Sequence, residues 1–213
     1  MNIFLNDLIK RYPPLADLKE NIWQTYEIML ESLKNGGTIF TCGNGGSASD
    51  SEHIAGELLK GFVLKRELKE DIKFQFSEKF GEDGAKLAGK LQYGLRAISL
   101  TSHPAFITAF ANDVDADLIF AQQLFGLGRK NDVLIAISTS GNSPNIYNSI
   151  LTASMIGVKT VLMTGKTGGR CAALVNIALK VPEHEAYKIQ EYHLPIYHTL
   201  CLMIEDYFYG KRS

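Results

Sequence analysis

Twice in this chain a short apolar run breaks into a loop of small residues and then into a helix, and the two breaks together leave few folds open. Residues 38–42, Thr38-Ile39-Phe40-Thr41-Cys42, carry the β-branched and aromatic side chains of a buried strand. Gly43, Gly45 and Gly46 then permit a tight turn, and Ser47, Ser49 and Asp50 are residues that start helices. Residues 132–137 give the clearest buried-strand signal, followed by Ser138, Thr139, Ser140, Gly141, Asn142, Ser143 and Pro144. Pro144 suits the first turn of a helix bearing Ile146, Ile150, Leu151 and Met155, with Ser143 as its N-cap. Further strand signals at 97–100, 160–163 and 177–181 alternate with helical patterns. Before the first strand, apolar residues at Leu15, Leu18, Ile22, Tyr26, Met29 and Leu33 predict an N-terminal helical arm over 1–36. The order implies an α/β three-layer sandwich, a mainly parallel five-stranded sheet with helices on both faces and ligands at the strands' carboxyl ends.

The first loop carries chemistry as well as topology. A helix beginning after Gly46 points its unsatisfied N–H groups and the positive end of its dipole above the loop, where a phosphate monoester is the natural guest. His53 and Glu57 share one face of that helix and suit acid–base work or metal binding. Plainer readings exist: an ordinary strand–helix turn, a surface His–Glu pair, or a dinucleotide fingerprint in Gly43, Gly45 and Ala48. The fingerprint needs an acidic residue at a second strand end about 20 residues on. The stretch Lys65-Arg66-Glu67-Leu68-Lys69-Glu70 reads instead as a solvated charge run.

The second loop favours the phosphate reading. Capping accounts for the Ser143 hydroxyl, whereas Ser138, Thr139 and Ser140 form a second surface for phosphate or sugar oxygens. A third cluster, residues 187–200, leads into an apolar helix, and Gln190 and His198 within it differ by about 80° in helical phase. Pro195 implies that the helix either kinks there or starts near it, with Gln190 on the approach. His184 and His193 read as ordinary surface or packed histidines.

Composition limits the remaining classes. With 213 residues, 46% of them hydrophobic, the chain can bury one substantial core, and no linker divides the span 1–213. Lys+Arg 22 against Asp+Glu 23 gives no charge argument for nucleic acid. The three cysteines, Cys42, Cys171 and Cys201, lack paired metal spacing and suit a reducing, cytoplasmic compartment. The first residues do not read as a signal peptide, and no stretch approaches a membrane span.

In order and spacing, the three clusters resemble the sugar isomerase (SIS) domain family, and within it the phosphoheptose (sedoheptulose 7-phosphate) isomerases. The resemblance rests on Cys42-Gly43-Asn44-Gly45-Gly46-Ser47, on His53 and Glu57, on Asn112-Asp113, on 138–143, and on Ile189-Gln190-Glu191 with His198. It implies the SIS fold, in one domain. It implies substrate contacts at Asn44, Gly45, Gly46, Ser47, Glu57, Asn112, Asp113, Ser138, Thr139, Ser140, Ser143 and Gln190. Glu57 and His198 map onto the family's acid–base pair, and one zinc per chain is implied at His53, Glu57, Gln190 and His198. A homotetramer acting on a small sugar phosphate is implied too, with no nucleic acid and no membrane. The reaction would take sedoheptulose 7-phosphate to D-glycero-D-manno-heptose 7-phosphate, for surface polysaccharide.

Two features depart from the family pattern. Lys60-Gly61-Phe62 stands where a Gly-Arg-aromatic run is expected, and the segment 63–95 is longer and more charged than expected. A rival of another class is a non-catalytic SIS protein, a phosphosugar sensor or a partner of a replication initiator. Such a protein could lose the acid–base pair, and this chain has both Glu57 and His198.

Overall fold

The computed structural model describes residues 2–210, so the ends of the expected 1–213 domain lie outside it. Within the described residues, β1 (Ile39–Cys42), β2 (Ala97–Ser99), β3 (Val133–Ile137), β4 (Lys159–Thr164) and β5 (Ile177–Lys180) form one parallel sheet, ordered β2-β1-β3-β4-β5. Each strand ends within a residue of its sequence-based expectation. The central strands are buried on both faces, which is why they appear as near-continuous apolar runs.

Alternation along β3 divides the core in two. Val133, Ile135 and Ile137 face a layer made by α1 (Ile3–Arg11), α2 (Lys19–Lys34), α3 (Gly46–Leu59) and α8 (Ala186–Tyr209), through Leu8, Ile22, Ile54, Leu58, Ile196 and Leu200. Leu134 and Ala136 face the opposite layer, where α6 (Ile119–Leu127) and α7 (Pro144–Ile156) bring Phe120, Leu124, Ile146 and Ile150. Leu151 and Met155, expected on the apolar face of that helix, are exposed. Among the described residues no helix is long and apolar enough to cross a membrane.

The N-terminal arm is two helices and not one. Pro13 and Pro14 start a 3-10 turn (Pro13–Leu18) between α1 and α2, since proline cannot continue a helix by donating a backbone N–H. Tyr26 and Met29 are core residues at 7% and 1% exposure, so they leave no apolar surface for another subunit.

Two other departures concern charge and proline. The run 65–70 is not wholly solvated: Arg66 is 2% exposed. Beyond it, α4 (Glu70–Ala88) breaks at Gly81 (φ 60°), buries only Gly84 and Ala88, and leaves Phe74, Phe80 and Leu87 exposed. Pro195 neither starts nor ends α8, which runs through it and places Gln190 and His198 on one helix. Pro195 is buried in the core, and its carbonyl accepts the Thr199 hydroxyl at 2.8 Å.

Candidate active site

The sheet order places β1 beside β3 with β2 on the outer side of β1, which opens a crevice between the loops that follow β1 and β3. The glycine loop turns at Gly45 (φ 56°, ψ −123°), and α3 begins at once at Gly46. Ser47, Ser49 and Asp50 do not cap it: Gly45 holds the cap position and no side chain bonds the first-turn amides. Such an uncapped N-terminus favours an anion.

Across the crevice, Ser138 is buried and its Oγ accepts the Gly141 amide at 3.1 Å. Ser140 Oγ accepts the Asn142 amide at 3.1 Å. Ser143 stands at the cap position of α7, yet makes no capping bond; its hydroxyl lies 3.2 Å from Ser138 Oγ. This reverses the expected assignment, because Ser138 and Ser140 partly serve the loop's own turn while Ser143 is free of the helix. Thr139 extends the row and its carbonyl accepts the Gly165 amide. The two loops are tied together by Asn44 and Asn145, whose side-chain amides exchange hydrogen bonds at 2.9 Å in each direction.

Gln190 closes the end of the crevice nearest α8. A β-carbon at Gly46 would lie 2.5 Å from Gln190 Nε2, so glycine there lets the amide side chain settle on the loop.

The titratable cluster lies further along α3. Glu57 is 9% exposed and divides its carboxylate between two basic side chains: His53 Nε2 is 3.2 Å from Oε1, and Lys60 Nζ is 3.1 Å from Oε2. Tyr197 Oη lies 3.2 Å from Asp50 Oδ1 and 3.0 Å from His53 Nδ1. Since Asp50 only accepts, Tyr197 donates to it, and His53 Nδ1 donates to Tyr197 in turn. The remaining His53 lone pair, on Nε2, then faces Glu57, an arrangement that is favourable only with a proton or a cation between them. Burial, followed by the neighbouring Asp50, pushes the Tyr197 phenol well above its ordinary pKa.

His198 completes the group from α8. Its ring centroid is 5.0 Å from that of His53, 4.9 Å from Tyr197 and 5.3 Å from Phe62, and its Nε2 is buried without a hydrogen-bond partner. Burial lowers its pKa, His53 and Arg11 add to the effect, and the Glu57 charge opposes it. The lowered pKa favours the neutral imidazole, with a lone pair or proton to offer.

As donors, His53, Glu57, His198 and the Gln190 amide suit a borderline divalent ion, and the orphaned His198 Nε2 is a position such an ion would satisfy. As placed, no three histidine, cysteine, aspartate or glutamate side chains among the described residues are close enough to hold one. Asn112 and Asp113 lie beyond α5 (Pro104–Phe110). They are exposed on a π-helical turn (Ala111–Asp115) and bond to each other at 2.9 Å. Lys60 and Tyr197, neighbours of Glu57 and His198 in sequence, could have been singled out by adjacency; Asp50 could not.

The SIS domain family profile matches residues 5–88 and 76–165 of the chain. The phosphoheptose isomerase of Helicobacter pylori strain Shi470 is 39% identical over 197 residues, covering 92% of this chain and 89% of that protein. That of Aliarcobacter butzleri is 36% identical over 192 residues, covering 90% and 88%. Among solved structures, a phosphoheptose isomerase from Francisella tularensis superposes with a TM-score of 0.76, and one from Neisseria gonorrhoeae with 0.74. Each is 31% identical and covers 94% of this chain and 94% of its own.

Proposed function

This chain belongs to the SIS domain family and, within it, to the phosphoheptose isomerases, and from that premise we propose that it converts sedoheptulose 7-phosphate to D-glycero-D-manno-heptose 7-phosphate. The observation that carries the reading is the meeting of α3 and α8: the acid–base candidates Glu57 and His198 gather on the same helices whose other ends, at Gly46 and Gln190, close the phosphate-sized loop.

The phosphate anchors at Asn44, Gly45, Gly46 and Ser47 on one side and at Ser138, Thr139, Ser140 and Ser143 on the other. Binding energy from this remote group positions the reacting carbons. Glu57 takes a proton from C1 of the open-chain ketose and returns it to C2, through an enediolate, so that the carbonyl moves from C2 to C1 with no net oxidation. His198 carries the accompanying proton between the two oxygens and assists ring opening. Lys60 holds Oε2 of Glu57, and Oε1, the oxygen that faces His53, takes the substrate proton. A zinc ion, one per chain, would be held by His53, Glu57, Gln190 and His198 and would polarise the substrate carbonyl when bound.

The exposed Phe74, Phe80 and Leu87 of α4 support a homo-oligomer, a tetramer in this reading, in which Asn112 and Asp113 approach a site across a subunit boundary. The buried free thiols of Cys42, Cys171 and Cys201 suit a cytoplasmic enzyme supplying heptose for surface polysaccharide. A non-catalytic phosphosugar sensor is disfavoured, because it would have no use for the Glu57–His198 cluster. The test is an isomerisation screen across ketose phosphates of five to seven carbons. Turnover of sedoheptulose 7-phosphate is expected; tight binding without turnover of any of them would favour the sensor.

A further inference from the structure

Arg66 is the bulkiest fully buried side chain among the described residues, and each of its three guanidinium nitrogens donates a hydrogen bond. Nε donates to Glu205 Oε1 at 2.9 Å, one terminal nitrogen to the Leu58 carbonyl at 2.7 Å, and the other to the carbonyl of Glu57 itself at 3.1 Å. Those carbonyls belong to the last turn of α3, where a helix has no internal donors left. Glu205, equally buried, also accepts the amides of Phe62, Val63 and Leu64 at 2.7, 2.9 and 3.1 Å. Burial alone would raise the Glu205 pKa, and these three amides and Arg66 together hold it below the ordinary value.

The pair connects the two halves of the acid–base site. Glu205 follows His198 by seven residues of α8, which places it on nearly the same face and roughly 10 Å further along. Arg66 grips the backbone of Glu57, and the chain that wraps Glu205 carries Phe62, whose ring packs on His198. A continuous path therefore runs from the Glu57 main chain through two ionic side chains to the helix that bears His198. The pair serves stability as well, since without it two carbonyls and three amides lose these partners, so melting temperature and rate must be read separately.

We propose that Arg66 and Glu205 are positioning residues that set the separation and orientation of Glu57 and His198. The proposal rests on the isomerase reading for its kinetic consequence and on the geometry alone for its structural one. The variants are Arg66→Met/Glu205→Leu, which removes the charges in a matched way, and the singles Arg66→Lys and Glu205→Gln, which keep the core filled should the double variant not fold. For each, kcat and KM for sedoheptulose 7-phosphate, the melting temperature, and the ring NMR signals of His53 and His198 are measured.

In Arg66→Lys and in the double variant, kcat falls on the order of a hundredfold while KM stays within about threefold, because a displacement of about 1 Å suffices for such a loss. The imidazole signals shift in both. Glu205→Gln sets an NH2 donor against either the Phe62 amide and Arg66 Nε or the Val63 and Leu64 amides, so its kcat falls too and its imidazole signals shift. A loss no larger than the unfolded fraction explains, with unmoved imidazole signals, overturns the proposal. Should the wild-type protein turn over no sugar phosphate, the isomerase reading fails by itself, and the imidazole signals still decide whether the pair holds the two helices in place.

Discussion

Gln190 rests on Gly46: the amide at one end of α8 fills the space that a side chain at the head of α3 would need. The obstructing atoms are the far end of a flexible side chain, so Gly46→Ala is accommodated by moving Gln190 and not by distorting the backbone. The variant is expected to fold with an almost unchanged melting temperature and to lose at least about tenfold in kcat/KM. In a double-mutant cycle, Gln190→Ala added to Gly46→Ala costs little more, because each change removes the same placement. Additive losses would separate the two residues.

Glu57→Gln is nearly isosteric and lies away from both phosphate loops. Turnover is expected to vanish while affinity for the sugar phosphate stays within about tenfold of wild type, as removal of a general base requires. Calorimetric binding beside a coupled rate assay makes the comparison. Substantial residual turnover would exclude Glu57 as the base.

Ser138 and Ser140 differ in ways that two alanine variants can separate. Ser138 is buried and supports the Gly141 amide, so Ser138→Ala should lower both stability and affinity, by about 1–3 kcal/mol for the unpaired partner. Ser140 is exposed, and its loss should weaken binding with little change in melting temperature. Unchanged affinity in both would reduce the loop to a helix start.

His193 gives the fold an acid sensitivity. It is fully buried, and burial lowers its pKa from 6.5 to about 4; the Thr164 backbone opposes this weakly, and neither ring nitrogen makes a well-aligned hydrogen bond. The folded pKa lies below the unfolded one, so between these values the unfolded chain binds more protons. The contribution is complete above pH 6.5 and is lost as pH falls toward 4. It amounts to roughly 3 kcal/mol at the acid end. Urea midpoints from pH 7 to pH 4 should show this slope in the wild type, and His193→Leu should flatten it.

The metal reading predicts about one divalent ion per chain after purification, removable by chelator with loss of activity and sharply reduced in His53→Ala. Elemental analysis against protein concentration measures it. Full activity in rigorously metal-free protein would leave Glu57 and His198 as an organic acid–base pair.

The strands were legible because the central ones, β1 and β3, are buried on both faces and therefore spell out their positions in largely apolar residues. The same was true of the two loops, whose glycines and hydroxyls have no purpose in a strand or a helix interior. Arg66 was not legible. Its partner Glu205 lies 139 positions away, and a single buried cation inside a charged run has the same local sequence as a solvated one. The Ser143 cap misled for a related reason: a serine before a proline-started helix satisfies the rule whether its hydroxyl turns to the helix or, as here, to Ser138. Asn112 and Asp113 were named by family likeness alone, and within one chain they are exposed.

The amide pair between Asn44 and Asn145 joins the rims of the crevice. Neither partner carries charge, so the tie has no ionic component for salt or pH to weaken. The chain settles the mutual placement of its two anion-binding rims when it folds, and an arriving substrate does not have to order them. Capture should therefore be limited by encounter and desolvation rather than by loop closure, with an association rate that responds to viscosity more than to loop stiffness.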